Sequence, residues 1–449
     1  VAGDHGESLG EHGETTHGML LYEPALRVPL VLAASGLPVA SRDDAVTLVD
    51  VVPTVLGLLG LPTPAAHDGR DLFVVGGGEA SPPVYAETQY PEAAGCSPLR
   101  SLVDGRWKLI GGPAQPELYD LTQDPAERHD LAGANPIIVQ ALAPRATSLA
   151  GPASASGAAP PAEVVERLRA LGYVATAPAS RSAAEVLPSP TGMVRQWNRF
   201  EEALADLNGG RIEKATQTLG ALVSERPQAR VFQATWARAL ADSGRLPESL
   251  AAYRSALRQW PQDTMLLHGL AVAARKAGRV EEAAKAEQAV LAIDPSDANA
   301  HNGMGLLLAQ AGRPAEARVA FERAVSLDPS AVTYRVNLGN ARLGAGDTAA
   351  AEEAYREALR LDSTSLDAGN GLALVLVNTG RAAAAIPLLE RIVALAPDFY
   401  GAWLHLGMAR QATGDAAGAA TAYRRVLAAP PGAAAPREAA AQLLAGVRS

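Results

Sequence analysis

The second half of the chain repeats one pattern of apolar, small and turn-forming residues every 34 positions. Gly210, Gly244, Gly278, Gly312, Gly346, Gly380 and Gly414 keep that spacing, and Arg or Asp follows each one. Pro227, Pro261, Pro295, Pro329, Pro397 and Pro431 share the period, with Ser363 in the one vacant place. One unit holds Met304-Gly305, Ala317, Phe321, Ala324 and Pro329, and the next holds Leu338-Gly339, Ala351, Tyr355 and Ala358. The glycine ends a first helix, small residues let a second helix approach it, and the proline opens the next unit. Seven units counted from Gln196 reach Ala433, and Glu438 to Val447 reads as a terminal capping helix. The first unit fits least well, because Arg199 and Glu202 stand where apolar residues are expected. Pro387 lies inside a predicted second helix and should kink or shorten it.

The first third has another rhythm. Arg27 to Ala34 is a short apolar run with β-branched residues and predicts a buried strand. Val46 to Gly60 reads as a strand or loop entering a helix, with Asp50 as N-cap and Pro53 in the first turn. Pro82 to Glu87 is a further candidate strand. Arg100 to Ile110 predicts a hairpin about Asp104-Gly105. Glu117-Leu118-Tyr119-Asp120-Leu121 follows, and a helix is expected at about 136–149. Gly151 to Pro161 and Ala175 to Gly192 are rich in Ala, Ser, Gly and Pro, as linkers are. Between them Val164, Leu168 and Leu171 mark one face of a short helix over 163–172.

The 34-residue helix–turn–helix unit resembles a tetratricopeptide repeat. The resemblance implies that a protein or peptide partner binds along the concave surface made by the first helices. Asn302, Asn337, Asn340, Asn370 and Asn378 fall on those helices and could hydrogen-bond an extended peptide. Asn is otherwise mildly unfavourable inside a helix. Plain solvation of these side chains, a spacer role and self-association remain alternatives.

Residues 4–18 carry the candidate chemistry. Asp4-His5-Gly6-Glu7-Ser8-Leu9-Gly10-Glu11-His12-Gly13-Glu14, then Thr16-His17-Gly18, hold three of the chain's eight histidines. Such a mixture is neither a core strand nor an amphipathic helix, and it reads as a loop after a strand ending at Val1-Ala2. Asp4 and His5 offer a hard oxygen beside an imidazole nitrogen, a usable pair for a divalent cation. The bland alternative is a solvated polar loop.

This loop, Leu21-Tyr22-Glu23, Arg27-Val28-Pro29-Leu30 and the later Leu-Tyr-Asp-Leu-x-x-Asp-Pro-x-Glu stretch ending at Glu127 resemble the C-terminal part of a sulfatase domain of the alkaline phosphatase superfamily. The resemblance covers roughly the first third of the chain. It implies that Asp4 and His5 are ligands of a divalent metal (calcium, magnesium or manganese). It places two further Asp ligands in an adjacent pair ahead of them, and no such pair precedes Asp4 here. His17 falls where the family has a Lys or His that contacts the sulfate or phosphate group, so it is the candidate catalytic residue. Glu7 and His12 read as loop architecture, Arg100 and Lys108 as surface cations, and Cys96 as an ordinary loop thiol. The family nucleophile, a Cys or Ser in a Cys/Ser-x-Pro-x-Arg stretch, is expected upstream of Val1; some relatives have Thr or Ser, so sulfate and phosphate chemistry are not separated.

A net charge of −9 offers no basic surface for nucleic acid. One cysteine excludes an internal disulfide framework. The start at Val1 reads as a fragment, consistent with an intact protein that is periplasmic or membrane-anchored. The expected fold class is multidomain. A partial α/β sulfatase-like domain over 1–150 is followed by a linker over 151–195, an all-α superhelix of seven repeats over 196–433, and a cap over 434–449. The expected function is a fragment of a metal-dependent hydrolase of sulfate esters with a protein-binding repeat array. A binding scaffold with an inactive remnant, and a phosphoryl hydrolase or transferase of the same superfamily, are the alternatives.

Overall fold

The computed structural model describes residues 1–35, 37, 39–41, 45–64, 67–73, 82–111, 116–149, 187–430, 433 and 435–447. Most of the expected linker, and the short helix over 163–172, lie outside these. The chain forms two compact units, which divide between Ala252 and Tyr253.

In the first unit a four-stranded antiparallel sheet runs in the order β1 (Val84–Thr88), β2 (Leu99–Asp104), β3 (Trp107–Gly111) and β4 (Glu117–Asp120). Asp104 pairs with Trp107, so Gly105 and Arg106 make the turn, and Gly105 takes the positive φ (59°) that the turn requires. Leu102, Leu109 and Leu118 point to one face and pack on Leu142 and Ala146. The latter two belong to a helix, Pro136–Leu149, that spans the expected residues. On β3, Lys108 points inward. Its side chain is fully buried and forms ion pairs with Glu23 (2.9 Å) and Glu127 (2.7 Å). The surface role expected of Lys108 is therefore corrected. A period-2 strand with Leu109 on one face sends its neighbour to the other, which is also covered.

Three short helices accompany the sheet: α1 (Glu23–Leu26), α2 (Val51–Leu58) and α3 (Tyr90–Ala93). Asp50 does occupy the N-cap of α2, but its carboxylate accepts from Thr47 N–H and Arg70 N–H. Thr54 accepts from Leu72 N–H. Asp50 and Thr54 thus pin the segment 70–72 beside the helix. Leu48, Val49, Val52, Val55, Leu59 and Leu61 remain exposed. The buried strand expected over 27–34 is reduced to one antiparallel bridge, Ala2 to Leu30, with Val31 58% exposed. Among the described residues no further strand pairs with it, so its apolar run has nothing to be buried against.

The same unit contains the first helix pair and the helix Arg230–Asp242 of the next. In the first, α5 (Val194–Asn208) and α6 (Ile212–Glu225) follow the Pro136–Leu149 helix, α4, in chain order. Trp197, Phe200 and Ala203 of α5 are fully buried in one core with Met19, Leu20, Leu21 and Tyr22. Tyr90 meets the Trp197 ring edge-on at 5.0 Å. Polar contacts follow the same seam. Thr16 donates to Glu201 (2.6 Å), and Asn198 donates to the Gly13 carbonyl (2.8 Å). Arg199, out of place in a repeat, ion-pairs with Glu225 at 2.7 Å. Beneath the seam Glu14 is 1% exposed and accepts from Met19 N–H at 2.8 Å. Burial pushes the Glu14 carboxyl up to about 7; the Met19 bond opposes this and the charge of Glu201 adds to it.

The second unit continues the 34-residue pattern. Its complete pairs begin with Thr264–Lys276 and Val280–Ile293 and end with Tyr400–Ala412 and Ala416–Leu427, and Arg437–Ala445 follows as a last helix. Each periodic glycine, in both units, has φ between 71° and 89° at the end of a first helix, a region that costs other L-residues energy. Other glycines make room for aromatic rings. A Cβ at Gly305 would lie 2.5 Å from the Phe321 ring, and one at Gly371 would lie 2.4 Å from Tyr355. Pro387 does not shorten its helix, Ala382–Leu395, which keeps the 14 residues of Val280–Ile293.

Two measurements test these packing assignments. Lys108→Ala leaves two carboxylates facing a buried void, and should cost about 3–5 kcal/mol in urea unfolding of the first unit; a loss under about 1 kcal/mol would show that the pair is not desolvated. Glu14 binds its proton more tightly folded than unfolded, so its stabilising contribution is full below about pH 4.5 and is lost as pH rises through about 7. Glu14→Gln should therefore raise the thermal midpoint at pH 8 and have less effect at pH 5. A pH-independent change would contradict the assignment.

Candidate functional site

The loop over residues 4–18 is held by backbone pairs rather than by regular structure. Gly6 N–H donates to Ala25 O (2.8 Å), and Ser8 N–H donates to Thr16 O (2.9 Å), closing the two arms on one another. Gly6 must be glycine, since a Cβ there would lie 2.0 Å from the Pro24 carbonyl oxygen. Gly10, Gly13 and Gly18 all have positive φ. The glycine-rich spacing of the sequence is thus the means of folding a polar loop tightly against α1.

Within it the structure brings His5, Glu7 and His17 together. One ligand-type atom from each lies within 4.8 Å of the others. The two imidazole rings stack, with centroids 3.8 Å apart and planes 22° from parallel. His5 Nδ1 lies 2.8 Å from the Gly6 carbonyl oxygen, and His17 Nδ1 lies 3.0 Å from Glu7 Oε2. A carbonyl can only accept, so His5 Nδ1 carries a proton, and in the neutral imidazole the lone pair is on Nε2. Asp4 stands beside this group. His5 N–H donates to Asp4 Oδ1, His5 Nε2 is 3.9 Å from the same oxygen, and the Asp4 side chain is 89% exposed.

His12 is apart from the cluster. It stacks on Tyr22 with centroids 3.6 Å apart and lies 3.2 Å from the Ala126 carbonyl oxygen, an architectural position. Glu7 holds the ring of His17. Its i, i+10 distance from His17 gives no periodic signal; only closure of the loop joins them.

Cys96 needs a correction of its own. Cys96-Ser97-Pro98-Leu99-Arg100 has the Cys-x-Pro-x-Arg spacing of the family's nucleophile stretch, a match that the reading as an ordinary thiol passes over. Its surroundings are those of a core residue. Cys96 is 1% exposed, packs in the core with Met19, Leu20 and Trp197, and leads directly into β2. A substrate ester cannot reach a sulfur buried in that way.

In the repeats, four of the five candidate asparagines have partners inside the array. Asn337 donates to Asn302 (2.8 Å), Tyr355 donates to Asn340 (2.6 Å), and Asn370 Oδ1 lies 2.8 Å from His405 Nδ1. Asn378 is exposed at the end of its helix. Two of these bonds join neighbouring first helices at i, i+35, which accounts for Asn inside a helix without a bound peptide.

Two families of known proteins match different parts of the chain. A family model described as N-sulphoglucosamine sulphohydrolase, C-terminal, matches residues 10–143. One described as tetratricopeptide repeat matches 234–298, 302–365 and 370–434. Choline-sulfatase of Rhizobium meliloti is 35% identical over 134 residues, covering 29% of this chain and 26% of that protein. Arylsulfatase K of Rattus norvegicus is 31% identical over 152 residues, covering 31% of this chain and 27% of that protein. The chain spans about a quarter of the length of these curated relatives. Among solved structures, a tetratricopeptide repeat protein from Parabacteroides merdae is similar at 18% identity and a TM-score of 0.45, over 56% of this chain and 97% of that one. His17 lies inside the matched sulfatase segment, and Asp4, His5 and Glu7 lie just ahead of it. The chain carries the C-terminal part of a sulfatase-family domain followed by tetratricopeptide repeats.

Proposed function

We propose that this chain supplies the substrate-contacting C-terminal part of a metal-dependent sulfate ester hydrolase, and that its repeats hold that part on a protein partner. The observation that carries the reading is the closed loop that stacks His17 on His5, with Asp4 beside His5 and Glu7 next to the His17 ring. In this reading His17 contacts the ester oxygens and gives a proton to the leaving oxygen, as a held imidazole can. Glu7 accepts from His17 Nδ1, so that the other nitrogen faces the substrate. The repeats take no part in the chemistry, and the partner lies along their first helices.

A hard cation does not fit the Asp4–His5 pair by itself. Calcium takes six to eight oxygens and magnesium a full octahedron, whereas the pair gives one exposed carboxylate and one nitrogen. Cys96, which has the spacing of the family's nucleophile stretch, is in the core. These two points favour the inactive-scaffold alternative for the 449 residues taken alone.

An ester panel separates the readings. With calcium, magnesium or manganese present, the 449-residue chain should not turn over 4-nitrocatechol sulfate or 4-nitrophenyl phosphate. Turnover lost on Asp4→Ala would overturn that expectation. The chain extended with a sulfatase N-terminal part, bearing an adjacent Asp pair and an accessible Cys-x-Pro-x-Arg, should hydrolyse the sulfate. That activity should fall by about 10²-fold or more on His17→Ala. Preference for the phosphate ester would favour the phosphoryl alternative.

A further inference from the structure

The donor set assembled by the loop differs from the one that the family resemblance implies. It is two imidazoles and one carboxylate, from His5, His17 and Glu7, with ligand atoms within 4.8 Å of one another. Soft and borderline divalent ions prefer imidazole nitrogen, whereas calcium and magnesium prefer oxygen. Two histidines and a glutamate make a recurrent three-ligand set for zinc, with a fourth position taken by water.

We propose that His5, Glu7 and His17 form a binding site for a borderline divalent ion of the zinc class.

Three features of the loop support it. The Gly6 carbonyl accepts from the Nδ1–H of His5, which leaves Nε2 as the ligand atom of the neutral ring. The His5 and His17 rings are already stacked at 3.8 Å, which brings nitrogens from two distant points of the loop to one place. The Ser8–Thr16 and Gly6–Ala25 backbone bonds fix the loop that carries the three side chains, so little backbone ordering entropy is lost on binding. A proton lies between His17 Nδ1 and Glu7 Oε2, 3.0 Å apart. A cation that takes both atoms replaces this proton, which makes binding release protons and weaken on acidification.

The proposal shares its loop with the hydrolase reading but does not need turnover. The two uses also compete for His17, so they can be told apart. The test uses the full 449-residue chain, stripped with EDTA and titrated with cobalt(II), whose visible spectrum reports its coordination. We expect a one-to-one complex with the intense absorption of four- or five-coordinate cobalt, displaced by zinc and unaffected by calcium or magnesium. His5→Ala, His17→Ala and Glu7→Gln should each weaken binding at least tenfold while the far-ultraviolet circular dichroism stays constant. His129→Ala, at an exposed histidine outside the loop, should leave it unchanged. A weak octahedral spectrum, equal competition by calcium, or equal loss in His129→Ala would each overturn the proposal, the last by showing an adventitious ion only. Calcium-supported hydrolysis by the extended protein, together with no cobalt complex in this chain, would sink the proposal and leave the hydrolase reading standing.

Discussion

Four consecutive side chains, Met19 to Tyr22, are buried, at 0, 2, 4 and 7% exposure, and the candidate site hangs from them. An extended segment alternates its side chains between two faces, so a run buried throughout must be covered on both. Trp197, Phe200 and Phe232 share one hydrophobic core with this run, as do Leu99, Ile110 and Tyr119 of the sheet. The polar loop ends where this run begins. Its Glu14 reaches down to Met19 N–H, and its Thr16 reaches across to Glu201. The first helix pair therefore belongs physically to the sulfatase-like part, even though its 34-residue spacing belongs to the repeats.

That joint membership explains the first pair's departures from the pattern. Arg199 is unsuited to a stacked repeat, yet here it meets Glu225, and nearby Glu201 meets Thr16 and Trp197 Nε1. Farther along, the repeats follow the general rule. A ring from a second helix fills the space over a glycine of a first helix, as Phe321 does over Gly305 and Tyr423 over Gly407. Close packing of this kind makes each interface sensitive to one added methyl group.

The repeats were legible because their signals are local. A glycine that must adopt positive φ and an aromatic opposite a glycine recur at fixed spacing, and seven helix pairs follow. The hairpin about Asp104-Gly105 and the helix ending at Leu149 were legible for the same reason. What escaped depends on distant partners. Lys108 looks like a surface cation until Glu23 and Glu127, 85 and 19 positions away, close over it. Glu7 meets His17 only because Ser8 and Thr16 pair. Cys96 carries a motif by spacing, but burial decides its chemistry. The strand over 27–34 had the right composition and no neighbours to pair with among the described residues.

The central claim is that the loop and the first helix pair stand on one cooperative core. Native-state hydrogen exchange read by mass spectrometry tests it most directly. Peptides covering Met19 to Tyr22 and those covering Val194 to Asn208 should share one protection level, and lose it together as urea is raised. Exchange of the 19–22 segment at a lower free energy than the helix, with a separate urea dependence, would contradict the account.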